Sequence, residues 1–327
     1  MPHFFHGRVT QVERLLHDMK NAVSHRNTNL EFLRVLAAFG IVWFHTKGAP
    51  GRDIAYAGLP AFLFISMTLL STRLDAEPWA RYINKRSTIL LLPWLFWSLF
   101  YLAIVLLRTY KRNQNLSETL TYGMLLGGTF VHLWYFTFCF FASLLIWSLV
   151  KLTKSLRVLP VVFTATVFGC TALFIYGMIS ETFHPIFPWG QWLYSFATIP
   201  IGFAIGRCFL IDDHAKQRKY FICIALSTIA VCLFLARAGN HAIATSYAIA
   251  IMAFIGAILI PDFKLGYIYN FSSLTLGIYI LHPFVRDIVI KYSQENINSI
   301  IRVIIVFAGA AALTLVCKKI PWLRNLV

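Results

Sequence analysis

Long apolar stretches follow one another along almost the whole chain, joined by short polar links rich in lysine and arginine. A helix needs roughly 17–25 apolar residues to cross about 30 Å of hydrocarbon. Ten stretches meet that length, at approximately 30–46, 56–72, 87–107, 130–150, 159–179, 190–210, 220–236, 241–260, 270–290 and 299–317. A membrane β-barrel would show short segments of strict alternation instead, and none is evident. The pattern predicts an all-α polytopic membrane protein, a single bundle of about ten transmembrane helices. The eighth stretch is interrupted by small residues, and "LTYGMLLGG", just before the fourth, reads as a re-entrant or interfacial piece.

Ahead of the first stretch, Val12, Leu15, Leu16, Met19 and Val23 recur at helical spacing with Arg14, Asp18 and Lys20 between them. That arrangement predicts an amphipathic helix lying on the membrane surface. A cleavable signal peptide is not expected, because no apolar core with a small-residue cleavage site precedes it. The expected organisation is a basic N-terminal segment (1–29), a ten-helix domain (30–320) and a short tail (321–327).

Composition agrees with the pattern: hydrophobic residues make up 58% and charged residues 13% of the chain, far from globular proportions. A net charge of +16 would suggest nucleic acid in a soluble protein. Here the basic residues gather in loops on one side of the membrane, so nucleic-acid binding is not expected. The same bias puts both termini in the cytoplasm. The six cysteines (Cys139, Cys170, Cys208, Cys223, Cys232, Cys317) lie in or beside apolar spans without metal-ligand spacing, which reads as small buried hydrophobes. No metal site is expected, and no HExxH, phosphate loop or nucleophile elbow occurs.

Ionisable residues inside the spans are the candidates for chemistry, because burying them in lipid is costly. In "FLRVLAAFGIVWFH" (residues 32–45), Arg34 lies near the cytoplasmic end and His45 eleven positions later, roughly 16 Å away at about 1.5 Å per residue. His132 opens the fourth span in "VHLWYF", and His282 precedes Pro283 in the ninth. With this orientation, the three imidazoles are placed to converge in the outer half of the bundle. A neutral imidazole is a competent general base near neutral pH. Pro283 loosens its helix and frees backbone carbonyls. Arg34 lies three residues after Glu31, a spacing that suits an ion pair. Arg81, Lys85 and Arg86, just before the third span, satisfy the positive-inside rule and equally suit an anionic phosphate.

"NLEFLRVLAAFGIVWFH" resembles the first-span signature of the acyltransferase-3 family, membrane enzymes that O-acylate cell-surface carbohydrates: an arginine, ten residues, then a histidine. "GLPAFLFISMTLL", "KRSTILLLPWLFWSLFY", "HLWYF" and "LTLGIYILHPFV" resemble its later segments, in order. Two positions depart from the family pattern. Ile89, beside Thr88, stands where a second arginine is common, and Met67 stands where glycine follows the serine of the second span.

The resemblance implies an O-acyltransferase of a bacterial cytoplasmic (inner) membrane that uses acetyl-CoA or another acyl-CoA as donor. Its acceptor would be a lipid-linked or polymeric glycan. His45 would be the essential base, with His132 and His282 as further catalytic candidates. Arg34, Arg81, Lys85 and Arg86 would hold the CoA phosphates, and Trp134, Tyr135 and Tyr279 would line the substrate site. The competing reading is a transporter or flippase for a lipid-linked glycan or small solute, against which the chain shows no internal repeat.

Overall fold

The computed structural model of the chain describes residues 27–72, 78–115, 120–263, 265–293 and 297–327. The amphipathic helix expected over 12–23 lies outside the described residues. Ten long helical segments carry the ten predicted stretches. They are α1 (Thr28–His45), α2 (Arg52–Ser71), α3 (Trp79–Lys111), α4 (Val131–Thr153), α5 (Val158–Ile179) and α6 (Trp189–Phe196 and Thr198–Cys208), then α7 (His214–Arg237), α8 (His241–Leu259), α9 (Ile268–Ser272 and Thr275–Ser293) and α10 (Ser299–Lys319). No strand occurs among the described residues. The interrupted eighth stretch forms one continuous helix. The "LTYGMLLGG" piece makes only a short helix, Met124–Gly127, tied to α4 where the Thr137 hydroxyl donates to the Leu126 carbonyl at 2.7 Å.

Seven of the segments, α2, α3, α4, α5, α7, α8 and α10, are long and apolar enough to cross a membrane. Of the other three, α1 and α9 are diluted by polar side chains, Glu31, Arg34 and His45 in the one and His282, Arg286 and Asp287 in the other, and α6 is broken at Ala197 into helices of 8 and 11 residues. Two of these three therefore owe their lower hydropathy to residues of the candidate site.

The start of α1 is pinned to the end of α8. Asn27 caps the helix through Leu30 N–H, and the amides of Thr28 and Asn29 donate to Asp262 at 2.8 and 3.3 Å. The Asn29 side-chain amide reaches the carbonyls of Ala257, Ile260 and Pro261, which the end of α8 leaves without helical partners. Further along, α3 contains a π-helical turn, Ser87–Leu91, directly after Arg86. Pro93 has no N–H for the carbonyl of Ile89, and the wider turn absorbs the mismatch. Ile89 itself faces outward, 45% exposed.

Two apolar cores fill the bundle. One joins α1, α2 and α4 to α5, α6, α7 and α8; the other joins α3, α9 and α10 to the last turns of α1 and the first turns of α4. Along α4, Trp134, Tyr135 and Phe138 enter the first core while Leu133 and Phe136 enter the second; along α9, Tyr279 enters the first and Ile278 and Ile280 the second. His132, Tyr135, Tyr279 and His282 sit on this seam.

At the centre, α2 and α6 pack backbone against backbone. Gly202 and Gly206 form a small-xxx-small pair of the kind that brings membrane helices close. A Cβ on Gly202 would lie 2.6 Å from Cβ of Met67, which is fully buried, and a Cβ on Gly206 would lie 2.8 Å from the Thr68 carbonyl oxygen. The Thr68 hydroxyl donates across the contact to the Gly202 carbonyl at 3.2 Å. The glycine missing at position 67 is thus compensated by glycine on the facing helix. Replacing Gly202 with leucine should lower stability by about 1–3 kcal/mol through overpacking, read as a reduced midpoint in detergent unfolding, whereas Gly256→Ala, with open space at its Cβ position, should leave the midpoint unchanged.

Candidate active site

Three helix ends or breaks deliver the three imidazoles. His45 is the last residue of α1, His132 lies in the tight turn Val131–Leu133 that opens α4, and His282 precedes the proline inside α9. The His282 ring lies 5.3 Å from that of His45 and 5.7 Å from that of His132, centroid to centroid. His132 and His282 are buried and His45 is partly exposed. The convergence expected from helix depth is therefore present.

Backbone carbonyls orient both buried rings. In an unbroken helix the Tyr279 carbonyl would accept the N–H of residue 283, but Pro283 has none. The freed carbonyl is 2.7 Å from Nδ1 of His282. Nε2 of His132 lies 3.0 Å from the Ile280 carbonyl, which also accepts from the Tyr101 hydroxyl at 2.7 Å. A carbonyl only accepts, so the protons sit on Nδ1 of His282 and Nε2 of His132. The remaining nitrogens, His282 Nε2 and His132 Nδ1, are buried and find no hydrogen-bond partner among the described residues. Each offers a lone pair. The Tyr279 hydroxyl closes the arrangement by donating to the His132 carbonyl at 2.5 Å.

From this cluster a polar path runs along the seam. The Tyr279 ring lies 5.1 Å from that of Tyr135, whose hydroxyl is 3.4 Å from Ser66 Oγ of α2, and buried Cys139 follows one turn further along α4. One turn beyond Cys139, the Ser143 carbonyl accepts from the Tyr82 hydroxyl of α3 at 3.0 Å. The Arg86 guanidinium lies over the Tyr82 ring at 5.1 Å, and its Nε and one terminal nitrogen are buried without a hydrogen-bond partner among the described residues. Unsatisfied buried donors of this kind await an acceptor.

The structure separates the four candidate phosphate ligands. Arg86 turns into the bundle, whereas Arg81 and Lys85 are exposed. Arg34 holds Glu31 at 3.0 Å, the ion pair its spacing suggested. Trp134 packs its ring against Tyr135 and Phe138, in the wall rather than against the imidazoles. Of the cysteines, Cys139, Cys208, Cys232 and Cys317 are buried, Cys170 is half-buried and Cys223 exposed.

Several residues here were not singled out from sequence. Ser66 and Cys139 line the path. Arg207 of α6 is buried, with Nε unpartnered among the described residues. Arg286 reaches the His45 carbonyl at 3.4 Å and grips Asp287, which Arg108 also holds at 2.9 Å. A signal for Arg286 existed: Tyr279, His282 and Arg286 are spaced i, i+3, i+7, one polar stripe on a helix face.

Residues 27–319 match the acyltransferase-3 family model, described as an acyltransferase domain. The match covers nearly the whole chain, and the protein belongs to this family of membrane acyltransferases. No curated protein and no solved structure matches it.

Pro283→Ala tests the carbonyl arrangement. A new N–H at 283 would compete for the Tyr279 carbonyl and release His282, so acyl transfer should fall about tenfold while the protein's thermal midpoint holds or rises. Unchanged transfer would mean that the freed carbonyl does not set the working geometry.

Proposed function

We propose that this membrane acyltransferase moves an acyl group, acetyl foremost, from acyl-CoA to a hydroxyl of a cell-envelope glycan, with His45 as general base. The observation that carries this reading is the meeting of three imidazoles, two with their protons held by carbonyls, at one end of a polar path whose other end is an unpartnered buried guanidinium. A sugar hydroxyl is a poor nucleophile until a base takes its proton, and a thioester is a reactive acyl donor.

In this mechanism the CoA phosphates bind at Arg86, with Arg81, Lys85 and Arg34 enlarging the positive field at the same inner end. The pantetheine arm follows Cys139, Tyr135, Ser66 and Tyr279 and brings the thioester to His45. His45 removes the proton of the acceptor hydroxyl as its oxygen attacks the thioester carbonyl. The C–S bond then breaks, and the departing CoA sulfur takes the proton back from the His45 imidazolium. The new ester and free CoA thiol balance the reaction.

His132 and His282 serve differently from an oxyanion hole. Their N–H groups are engaged, so they present acceptors, which suits orienting the acceptor hydroxyl or the N–H of His45. The acceptor approaches from outside a bacterial cytoplasmic membrane while the donor stays on the cytosolic side. In this arrangement α1 measures the distance between the two, consistent with both termini lying inside.

The test is incorporation of label from radiolabelled acetyl-CoA into envelope glycan by membranes carrying the protein. His45→Ala should reduce it at least about 100-fold. Equal incorporation in variant and wild type would remove His45 as the base, and none in either would favour transport. Arg86→Ala should instead raise the KM for acetyl-CoA about tenfold and leave kcat within about twofold, read from initial rates over a range of acetyl-CoA.

A further inference from the structure

A helix that ends inside a bundle leaves its last four carbonyls without intrahelical partners, and in lipid each must be satisfied. At the end of α1 all four are accounted for. The Thr46 hydroxyl donates to the Val42 carbonyl at 3.0 Å, and the Thr46 amide to that of Trp43 at 3.0 Å. Nε of Arg52 donates to the Phe44 carbonyl at 2.8 Å, with its guanidinium over the Phe44 ring at 5.3 Å. A terminal nitrogen of Arg286 donates to the carbonyl of His45 itself at 3.4 Å.

The two arginines come from different places. Arg52 stands at the start of α2, seven residues after His45 and next in the chain to the left-handed Gly51. Arg286 stands on α9, one turn beyond His282 on the same face. Its Nε and other terminal nitrogen are both held by Asp287, at 3.3 and 3.0 Å, and Asp287 is braced from α3 by Arg108. One carboxylate oxygen accepts along a single edge of the planar guanidinium and leaves the other terminal nitrogen to face α1. The group is thus aimed before it meets the His45 carbonyl.

We propose that Arg286 and Arg52 are positioning residues that clamp the end of α1, and that Arg286 couples the His45 backbone to the helix carrying His282. The inference rests on the reading of His45 as the base. The clamp sets the separation and tilt between the His45 and His282 rings without touching substrate. A cationic pair at a helix C-terminus also complements the partial negative charge there, so charge alone would favour arginine or lysine equally. The aimed geometry, with all three nitrogens engaged at once, is specific to guanidinium.

The experiment compares Arg286→Ala, Arg286→Lys, Arg52→Ala, Arg108→Ala, Lys111→Ala and His45→Ala in membranes, with radiolabelled acetyl-CoA as donor and the envelope glycan fraction of the source cells as acceptor. Arg286→Ala should lower kcat about 30-fold with the KM for acetyl-CoA within about twofold. Arg286→Lys should recover only part of the rate, and free guanidinium added to Arg286→Ala should recover more than added ammonium. Arg52→Ala should show a smaller loss of the same kind. Arg108→Ala, which removes the brace on Asp287, should also show a smaller loss of this kind, whereas Lys111→Ala, which removes an equal charge from the exposed end of α3, should stay within about twofold of wild type.

A second readout does not depend on turnover. In side-chain 15N-histidine spectra of the purified protein in nanodiscs, the His45 signal, identified by its loss in His45→Ala, should be single in wild type and broadened or split in Arg286→Ala. A kcat for Arg286→Ala within twofold of wild type, or an unchanged His45 signal, would overturn the clamp while His45→Ala still abolishes transfer. Full recovery by lysine would reduce Arg286 to a charge and overturn the aimed geometry. Full transfer by His45→Ala would instead overturn the reading on which the clamp rests.

Discussion

In hydrocarbon no water is at hand to satisfy a backbone carbonyl, so every one released by a helix end or a proline must find a donor within the protein. This chain meets that constraint with the side chains of its candidate site. The Tyr279 carbonyl, freed by Pro283, takes Nδ1 of His282; the Ile280 carbonyl takes Nε2 of His132; the His132 carbonyl takes the Tyr279 hydroxyl; and the Phe44 and His45 carbonyls take Arg52 and Arg286. One requirement of the solvent thereby fixes tautomers, ring orientations and the end of α1 together. The irregular backbone is tolerated because it is buried in the seam between two apolar cores rather than facing lipid.

The same economy explains why the site lies where helices are least regular. Continuous helices such as α5, α7 and α8 have few free carbonyls and supply the surrounding wall. α1 stops at His45, α4 starts with a tight turn at His132, and α9 breaks after Ser272 and carries Pro283 inside its second part. The π-turn after Arg86 places a fourth irregularity at the other end of the polar path. Close packing of α2 on α6 through Gly202 and Gly206 then holds the central helix, and with it Ser66, at a fixed depth against α4.

Much of this was legible in the chain. Apolar run lengths located all ten helical segments, and the depth of each histidine along its span foretold their meeting. The Glu31–Arg34 spacing foretold that ion pair. What sequence did not yield was lateral information. Nothing along α3 distinguishes Arg86 from Arg81 and Lys85 as the group turned inward, because that depends on where the π-turn rotates the helix. Met67 stood out only as a departure from the family's glycine, and the facing Gly202 reveals the compensation. Arg286 and Arg52 were not singled out, since their partners are backbone carbonyls, which leave no mark in a sequence. Ser66, Tyr135 and Cys139 come from two helices whose rotational setting is decided by packing.

If carbonyls set the site, the two buried imidazoles must carry opposite tautomers. Side-chain 15N spectra of histidine-labelled protein in lipid, with His132 and His282 assigned by single substitution, report this directly. The expected result is one protonated nitrogen per ring, Nε2 in His132 and Nδ1 in His282. The same tautomer in both rings, or exchange between tautomers in either, would contradict it.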